Sequence, residues 1–471
     1  MASSEYAPFA KTGGLADVVA ALTEQLHKTG HDVRTFIPLY PRIWEAGLDL
    51  RPVDFIQEVP IQLGPWTYAF SIFVADVGET KTPVYFVDCP QLYGRENIYT
   101  ADEDEHLRFL LLTRAALESC QRMGFSPHIA HSHDWQSSFM PLFIKSVYEW
   151  DQLFKPTKSV LTIHNIGYQG SFSSEAVHDL SLGGREHLLH QEDLNGGVIN
   201  ALKTGVMYAD AITTVSETYA REIQTEEFGM GLEGFLQERR QRLIGIVNGV
   251  DYQAWSPETD KLIPHAYSPK KMAGKKKNKK ALLEGLGLPF DAKAPTLGIV
   301  SRLTFQKGFE LLFDVLPALL KKYDLRFVVL GSGEQKYVDF FQSLQRNFPS
   351  KVCFYHGYSN ELAHLIEAGS DLFLMPSRFE PCGLNQMYSL RYGTIPVVRK
   401  TGGLADTVTQ FNPKTGEGTG VVFDHFTAEG MNWALKFALT LFDTPNQWKQ
   451  VQKNAMAVDF SWDRQVKQYE T

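Results

Sequence analysis

The chain has 471 residues and a formal net charge of −8, with 44% hydrophobic and 21% charged residues. This length is large for one domain, and the composition is that of an ordinary globular protein, which excludes a largely disordered chain. The acidic balance argues against a surface built to bind nucleic acid or an anionic membrane, so any anion site must be local.

The cysteines are scattered along the chain without a CxxC pair, and they are Cys89, Cys120, Cys353 and Cys382. This usage suits a reducing compartment, so we expect a cytoplasmic protein, and we expect no bound metal because no metal-spaced cluster occurs. No apolar run of about 18 residues occurs and no signal peptide is evident, so we expect no membrane span.

The N-terminal residues read MASSEYAPFAKTGG, which is typical of a strand-to-helix loop with most of its strand missing. We therefore expect a shortened first strand and weaker support for the sheet beneath Lys11. The nonapeptide KTGGLADVV at 11–19 returns as KTGGLADTV at 400–408, with eight of nine positions identical. The first copy follows a long loop and the second follows a strand directly, so we do not expect equivalent positions in duplicated domains.

Short apolar runs that end in polar loops alternate with helical stretches in the first half. The predicted strands cover 32–38, 83–89, 128–135, 159–165 and 211–217, and a predicted helix covers 106–124. This alternation predicts a parallel sheet with helices on both faces.

A second series of predicted strands covers 243–251, 296–302, 326–334, 351–358, 371–381 and 394–403. Ligands of open α/β sheets bind outside the carboxyl ends of the strands. Two such sheets therefore predict two ligand-facing edges, with a site between them.

The basic stretch 267–287 lies near the join of the two halves. Its charge pattern favours a solvated helix face with apolar residues turned inward. The alternative is a role in holding a polyanion or a glucan.

Two loops of the second half carry residues that suit a sugar diphosphate. SRLTFQKG at 301–308 places Arg302 and Lys307 between a strand and a helix N-terminus, where cations and free N–H groups can hold phosphates. PSRFEPCGLNQM at 376–387 places Glu380 after a strand, where it could accept hydrogen bonds from sugar hydroxyls or cap a helix. Cys382 is interpreted as a packing residue because no histidine adjoins it to activate a thiolate.

Polar residues also end strands elsewhere. His164 could contact a hydroxyl or be a structural donor, and Asp134 could orient an acceptor hydroxyl or cap a helix. Tyr358 follows a strand and could stack on a flat base or pack in the core.

Taken together, these motifs resemble those of bacterial glycogen synthases and the related plant starch synthases, family 5 of the retaining glycosyltransferases. The resemblance runs end to end, through KTGGLADV (11–18), HDW (133–135), HNIGYQG (164–170), NGVD (248–251), SRLTFQKG (301–308) and PSRFEPCGLNQMYSLRYGTIPVVRKTGGLADTV (376–408). It implies the α/β architecture called GT-B, with two Rossmann-like domains and a deep interdomain cleft. We expect domains at 1–242 and 243–455, with a helix at 456–471 that crosses back to the first domain.

The resemblance also implies transfer of glucose from ADP-glucose to the non-reducing 4-OH of an α-1,4-glucan, with retained configuration and no cofactor. A synthase that uses UDP-glucose and a catalytically silent glucan- or nucleotide-binding protein remain alternatives. By motif position, the catalytic residues are Lys11, His164, Arg302, Lys307 and Glu380. Besides the catalytic residues Lys11, Arg302, Lys307 and Glu380, the donor site would include Gly13, Gly14, Asn248, Tyr358, Cys382, Gly383, Leu384 and Thr401, with Asp134 and Tyr93 on the sugar or acceptor side.

Two departures separate the chain from related patterns. Family 4 enzymes usually show Glu-x7-Glu, whereas Tyr388 stands eight residues after Glu380, which disfavours a sucrose-phosphate-synthase-like function. Asn385 stands where the family often has threonine.

Retaining glycosidases use a pair of carboxylates about 5 Å apart, one of them as the nucleophile. The sequence offers no evident pair of this kind. The route proposed for the family is front-face attack, with the leaving phosphate taking the acceptor proton and the His164 carbonyl stabilising the sugar cation.

Overall fold

The computed structural model describes residues 1–78 and 80–471. They form two compact units, one of residues 1–246 with 466–471 and one of residues 247–465. Among these residues, no helix is both long and apolar enough to cross a membrane.

The first unit combines several sheets with helices that range from four residues in α3 to 18 residues in α4. Its strands are β1 (Thr35–Pro38), β2 (Arg51–Pro52), β3 (Val59–Leu63), β4 (Trp66–Val77), β5 (Thr82–Asp88), β6 (Ile129–His133), β7 (Lys158–Ile163), β8 (Ser171–Ser173), β9 (Val198–Asn200), β10 (Ala211–Thr214) and β11 (Leu243–Gly245). Its helices are α1 (Gly14–Lys28), α2 (Pro41–Glu45), α3 (Pro90–Tyr93), α4 (Glu105–Arg122), α5 (Met140–Lys145), α6 (Gln191–Asn195), α7 (Ala201–Tyr208), α8 (Glu217–Glu222) and α9 (Glu233–Glu238). The helix α1 forms because Leu15, Val18, Val19 and Leu22 recur at helical spacing and are buried on one face.

Most strands of the first unit pair in two groups, and β8 and β9 form a separate antiparallel pair. One group has the order β1, β5, β4, β2, with β3 also on β4, and the other has the order β11, β10, β7, β6. The strands β1 and β5 are parallel, as are β6, β7, β10 and β11. Because β11 pairs with β10, this strand belongs to the first unit, and the boundary follows residue 246 rather than residue 242.

Residues 1–3 join the two groups. Ala2 forms parallel bridges to Phe36 of β1 and to Ser132 of β6, and its N–H donates to the His131 carbonyl at 2.9 Å. The short first strand that the sequence predicts is thus present, but the expected loss of support beneath Lys11 is not seen. Numbered from residues 1–3, the parallel strands have the order 3-2-1-4-5-6-7, which is the Rossmann order with β11 added at one edge.

The second unit has a fully parallel sheet of six strands. They are β12 (Thr296–Leu303), β13 (Arg326–Gly333), β14 (Val352–His356), β15 (Leu372–Met375), β16 (Ile395–Arg399) and β17 (Val421–Phe423). The helices are α10 (Ala273–Gly285), α11 (Leu312–Lys322), α12 (Gln335–Asn347), α13 (Asn360–Gly369), α14 (Asn385–Tyr392), α15 (Gly402–Thr407), α16 (Ala428–Phe442) and α17 (Pro445–Met456), and the chain ends with α18 (Trp462–Glu470). The first residues of α18 belong to the second unit and the residues from Val466 onward to the first.

The strand order of this sheet is β14, β13, β12, β15, β16, β17. This is again the Rossmann order, and the direction of winding reverses between β12 and β15. Ligands of such sheets bind outside the carboxyl ends of the strands at that switch point. Arg302 lies near the carboxyl end of β12, and the loops after β12 and β15 carry Lys307 and Glu380, so the topology alone marks these residues as a candidate site.

The basic stretch does not form the simple solvated face that its charge pattern predicts. In α10, Lys275 and Lys279 are buried together with Leu282 and Leu283. The Lys275 ammonium donates to Thr394 Oγ1 at 2.5 Å, and Lys279 donates to Asp371 Oδ2 at 2.6 Å. Sequence periodicity could not reveal this, because the polar partners come from segments about 90 to 120 residues away.

A buried acid lies beside this helix. Glu367 of α13 accepts a hydrogen bond from Ser389 at 2.7 Å, and burial raises the pKa of its carboxyl to about 8. The folded state therefore keeps a proton on Glu367 in a pH range where the unfolded chain has lost it. This group's contribution to stability falls as pH rises from about 4.5 to 8.

Replacing Glu367 by Gln should make the free energy of unfolding less dependent on pH, because the amide keeps the neutral shape but cannot titrate. The fall in stability between pH 5 and 8 should become shallower, by up to ~1.4 kcal/mol per pH unit. Chemical denaturation at several pH values measures the slope. Glu361→Gln, at an exposed position of the same helix, is the matched control and should leave the slope unchanged; identical slopes for wild type and Glu367→Gln would contradict the assignment.

Candidate active site

A buried carboxylate organises the first KTGG turn. Glu5 is 2% exposed, and its oxygens accept hydrogen bonds from the Thr12 N–H and hydroxyl, both at 2.6 Å, and from the Gly13 N–H at 3.3 Å. The Tyr99 hydroxyl donates to the same carboxylate at 2.6 Å. Glu5 thus fixes the turn that carries Lys11. The sequence analysis missed Glu5, whose only signal is an acidic residue inside a strand-to-helix loop.

Lys11 lies on the outside of this turn. Its ammonium pairs with Asp17 Oδ1 at 2.7 Å, and both side chains are partly exposed. Gly13 precedes α1 with an extended backbone, and a Cβ placed there would meet no atom within 4 Å. The first KTGG copy is therefore open on the side where Gly13 lacks a side chain, and an approaching ligand could reach its backbone.

Asp134 and His164 come together at the carboxyl ends of β6 and β7. The Asp134 carboxylate accepts the His164 N–H at 2.6 Å and the Asn165 N–H at 3.3 Å, while burial raises the pKa of its carboxyl to about 7. Asp134 therefore positions the His164 backbone. The sequence indicates only an acceptor hydroxyl or a helix N-terminus as its partner. The His164 ring contacts His133, with 3.0 Å between Nε2 and Nδ1.

Tyr93 is enclosed in the hydrophobic core of the first unit. It is completely buried at the end of α3, and its hydroxyl donates to the Arg108 carbonyl at 2.7 Å. The expected contact of Tyr93 with the sugar or acceptor stays a prediction. A motif alignment specifies the residue type but not which way the ring points.

In the second unit, Lys307 and Glu380 form a nearly buried ion pair. Lys307 Nζ lies 2.7 Å from Glu380 Oε2, which also accepts the Ser377 hydroxyl at 2.9 Å. Arg302 is exposed near the end of β12, five residues before Lys307. The structure thus brings the Lys307 ammonium and the Glu380 carboxylate together at the switch point of the sheet.

Glycines let the backbones of this region pack closely. Gly308 has φ +66°, and a Cβ there would overlap the Pro376 carbonyl oxygen. Gly402 and Gly403 lie directly against the backbone of residues 380–382, and the Gly403 N–H donates to the Glu380 carbonyl at 3.0 Å. The glycines of the second KTGG copy therefore pack against the backbone of the loop that carries Glu380, whereas the space beside Gly13 in the first copy is unfilled.

Of the residues after Glu380, Pro381 and Cys382 are buried, and Gly383 and Leu384 are half-buried. Burial raises the pKa of the Cys382 thiol to about 12, which keeps it protonated and excludes a thiolate nucleophile at neutral pH. The helix α14 begins at Asn385. Gly383, with φ +73°, and Leu384, the residue before the helix, form its entry.

The remaining predicted donor residues differ in exposure. Tyr358 is 70% exposed after β14, which excludes the alternative of core packing. Thr401 is buried before α15, and Asn248 is buried with an Oδ1 atom that finds no hydrogen-bond partner within residues 1–78 and 80–471. Tyr388 stacks on Trp255 at 4.0 Å between ring centroids, and so belongs to the packing of α14.

The nucleotide contacts of these residues stay predictions. So does the expectation of metal-free chemistry; in the described part of the chain, no group of three or more His, Cys, Asp or Glu side chains is arranged to hold a metal ion.

Comparison with known proteins agrees with the motifs. Residues 1–238 match the family model described as starch synthase catalytic domain, and residues 287–455 match glycosyl transferases group 1. A glycogen synthase from Koribacter versatilis is 43% identical over 99% of this chain and 96% of its own length. One from Geotalea uraniireducens is 41% identical, with the same coverage.

A solved structure gives the same assignment. The catalytic domain of starch synthase IV from Arabidopsis thaliana, bound to ADP and acarbose, superposes with a TM-score of 0.91 at 34% identity, covering 100% of this chain and 97% of that one. Sucrose-phosphate synthase from Thermosynechococcus elongatus, at 16% identity and a TM-score of 0.58, shares the fold alone. The chain, with its two Rossmann-like domains of GT-B type, therefore belongs to the glycogen and starch synthase family of retaining glucosyltransferases.

Proposed function

We propose that this enzyme transfers glucose from ADP-glucose to the non-reducing 4-OH of an α-1,4-glucan. The observation that carries the proposal is the Lys307–Glu380 pair at the switch point of a Rossmann sheet, with Arg302 five residues before Lys307 at the carboxyl end of β12. A sugar diphosphate has the two parts that such a site can bind, an anion for the cations and hydroxyls for the carboxylate. The ADP and acarbose bound to the Arabidopsis relative support both substrates.

The leaving group determines what the site must supply. When the bond between C1 and the diphosphate oxygen breaks, negative charge develops on that oxygen. Lys11, Arg302 and Lys307 would stabilise this charge without a metal ion, and removing one such preorganised donor typically costs about 3 kcal/mol of transition-state stabilisation. We propose that the diphosphate displaces Glu380 from Lys307, which frees the carboxylate to accept hydrogen bonds from glucose hydroxyls.

The configuration at C1 would be retained by attack on the face from which the diphosphate leaves. The acceptor hydroxyl forms the new C1–O bond, its proton moves to the departing phosphate oxygen, and ADP leaves. The His164 carbonyl would stabilise the positive charge on the sugar. The four cysteines are unpaired, which suits a reducing compartment, and we propose a cytoplasmic location.

Labelled ADP-glucose should be incorporated into glycogen, and UDP-glucose should be used less efficiently in parallel assays. Addition of EDTA should leave the rate nearly unchanged, because cationic side chains meet the leaving-group charge. Preference for UDP-glucose would overturn the donor assignment, and strict metal dependence would overturn the charge argument. A folded protein that binds ADP-glucose without turnover would instead be the silent binding protein.

The two KTGG copies should differ in function. Lys11→Ala should lower kcat/KM by roughly 100-fold, the typical cost of losing one charge-stabilising donor. Lys400→Ala should change kcat/KM by less than about threefold. The Lys400 side chain is 63% exposed, and its ion pair with the exposed Asp424, at 3.6 Å, is of the surface kind that contributes little. Steady-state kinetics at saturating glycogen compare the two variants, with thermal unfolding as the folding control. Equal losses would contradict the proposed asymmetry.

A further inference from the structure

Three histidines form a buried cluster behind the Asp134–His164 contact. The rings of His131 and His133 stack with centroids 4.2 Å apart, and His133 Nδ1 lies 3.0 Å from His164 Nε2. His131 is hydrogen-bonded separately, through Nε2 to Thr162 Oγ1 at 2.6 Å. His133 is therefore the ring that contacts His164, and the function proposed above gives it no role.

Each of these rings is neutral in the folded protein. Burial lowers the pKa of His131 and His164 to about 3 and that of His133 well below its usual value. A neutral imidazole has one N–H and one bare nitrogen. The 3.0 Å contact therefore contains one proton, which belongs to either His133 Nδ1 or His164 Nε2.

The two arrangements leave different atoms without a partner. If His164 Nε2 carries the shared proton, the proton of His133 must be on Nε2. That atom is completely buried and has no hydrogen-bond partner within residues 1–78 and 80–471. If His133 Nδ1 carries the shared proton, His133 Nε2 is only a bare acceptor. Buried N–H groups without a partner are rarer in native structures than buried acceptors without one, so the second arrangement is favoured.

We propose that His133 is a positioning residue that donates from Nδ1 to His164 Nε2 and so fixes the His164 ring with its own proton on Nδ1. Asp134 holds the backbone of His164, and His133 holds its ring, so the two contacts are independent. His133 is fully buried, whereas His164 keeps 9% exposure, so His164 is the ring able to meet a ligand.

The consequence for catalysis rests on the proposed function. With the proton on Nδ1, His164 offers a hydrogen-bond donor to an oxygen of the transferred sugar. With the proton on Nε2, it would offer only an acceptor. His133 would thereby determine which kind of hydrogen bond the reacting sugar receives from His164.

The direct test is the protonation state of His164 by nitrogen NMR on the deuterated enzyme with 15N-labelled histidine at pH 7.5. The His164 signals are assigned by their loss in His164→Gln. The proposal predicts a protonated Nδ1 and a bare Nε2 for His164. A protonated Nε2 overturns it. This readout needs no turnover, so it decides the proposal even if the protein makes no glucan, a result that would count against the proposed function alone.

A matched pair of variants tests the role of His133. His133→Asn places an amide N–H near the position of Nδ1, and should keep the His164 protonation state with kcat within about threefold. His133→Leu fills the space without a donor, and should lower kcat by about tenfold or more with a smaller change in KM, as expected for a lost interaction specific to the transition state. An unchanged kcat and His164 spectrum in His133→Leu overturn the proposal. Should the leucine variant fail to fold, the wild-type spectrum and His133→Asn decide the question.

Discussion

The candidate donor site depends on one nearly buried ion pair, that of Lys307 with Glu380. A carboxylate that is 5% exposed is stable as an anion only when its charge is met, and Lys307 and the Ser377 hydroxyl do so. Breaking such a pair by removing one partner typically costs about 3–5 kcal/mol, because the other charge stays buried and alone. Under the proposed function, a diphosphate replaces Glu380 as the partner of Lys307, and sugar hydroxyls replace Lys307 as the partners of Glu380. In that proposal the pair holds both groups in place until a ligand with both chemistries binds.

The geometry of this pair is set by backbone packing. Glycines at 308, 402 and 403 let the loops after β12 and β16 lie directly against the loop that carries Glu380. The repeated KTGG sequence thus forms a glycine-containing turn before a helix at both positions, but the two turns have different surroundings. In the second copy the glycines support a neighbouring loop, and in the first copy they leave a turn open beside Lys11 that Glu5 holds from within. Identical sequence at two positions does not imply the same role, because the surrounding segments determine which atoms face the glycines.

Much of the fold was predictable because it depends on local pattern. Four of the predicted strands are present as β6, β7, β12 and β15. The family resemblance is confirmed by relatives that match over nearly their full length. What the sequence could not reveal depends on contacts between distant segments. The burial of Lys275 beside Thr394, the link of Glu5 to Tyr99 and the enclosed ring of Tyr93 all arise from tertiary packing. Periodicity reports which residues share a face of one element, but not which polar group from another element meets them.

The central claim is that Glu380 and a diphosphate compete for Lys307, and calorimetric titration of ADP tests it most directly. ADP lacks the sugar, so it measures the phosphate half of the site alone. Lys307→Met should weaken ADP binding by about 10- to 100-fold, the usual contribution of a hydrogen bond to a charged group. Glu380→Gln should preserve or strengthen binding, because Lys307 then needs no displacement, and the advantage should vanish in the double variant. If Glu380→Gln weakens ADP binding as much as Lys307→Met does, the two groups do not compete and the account is contradicted.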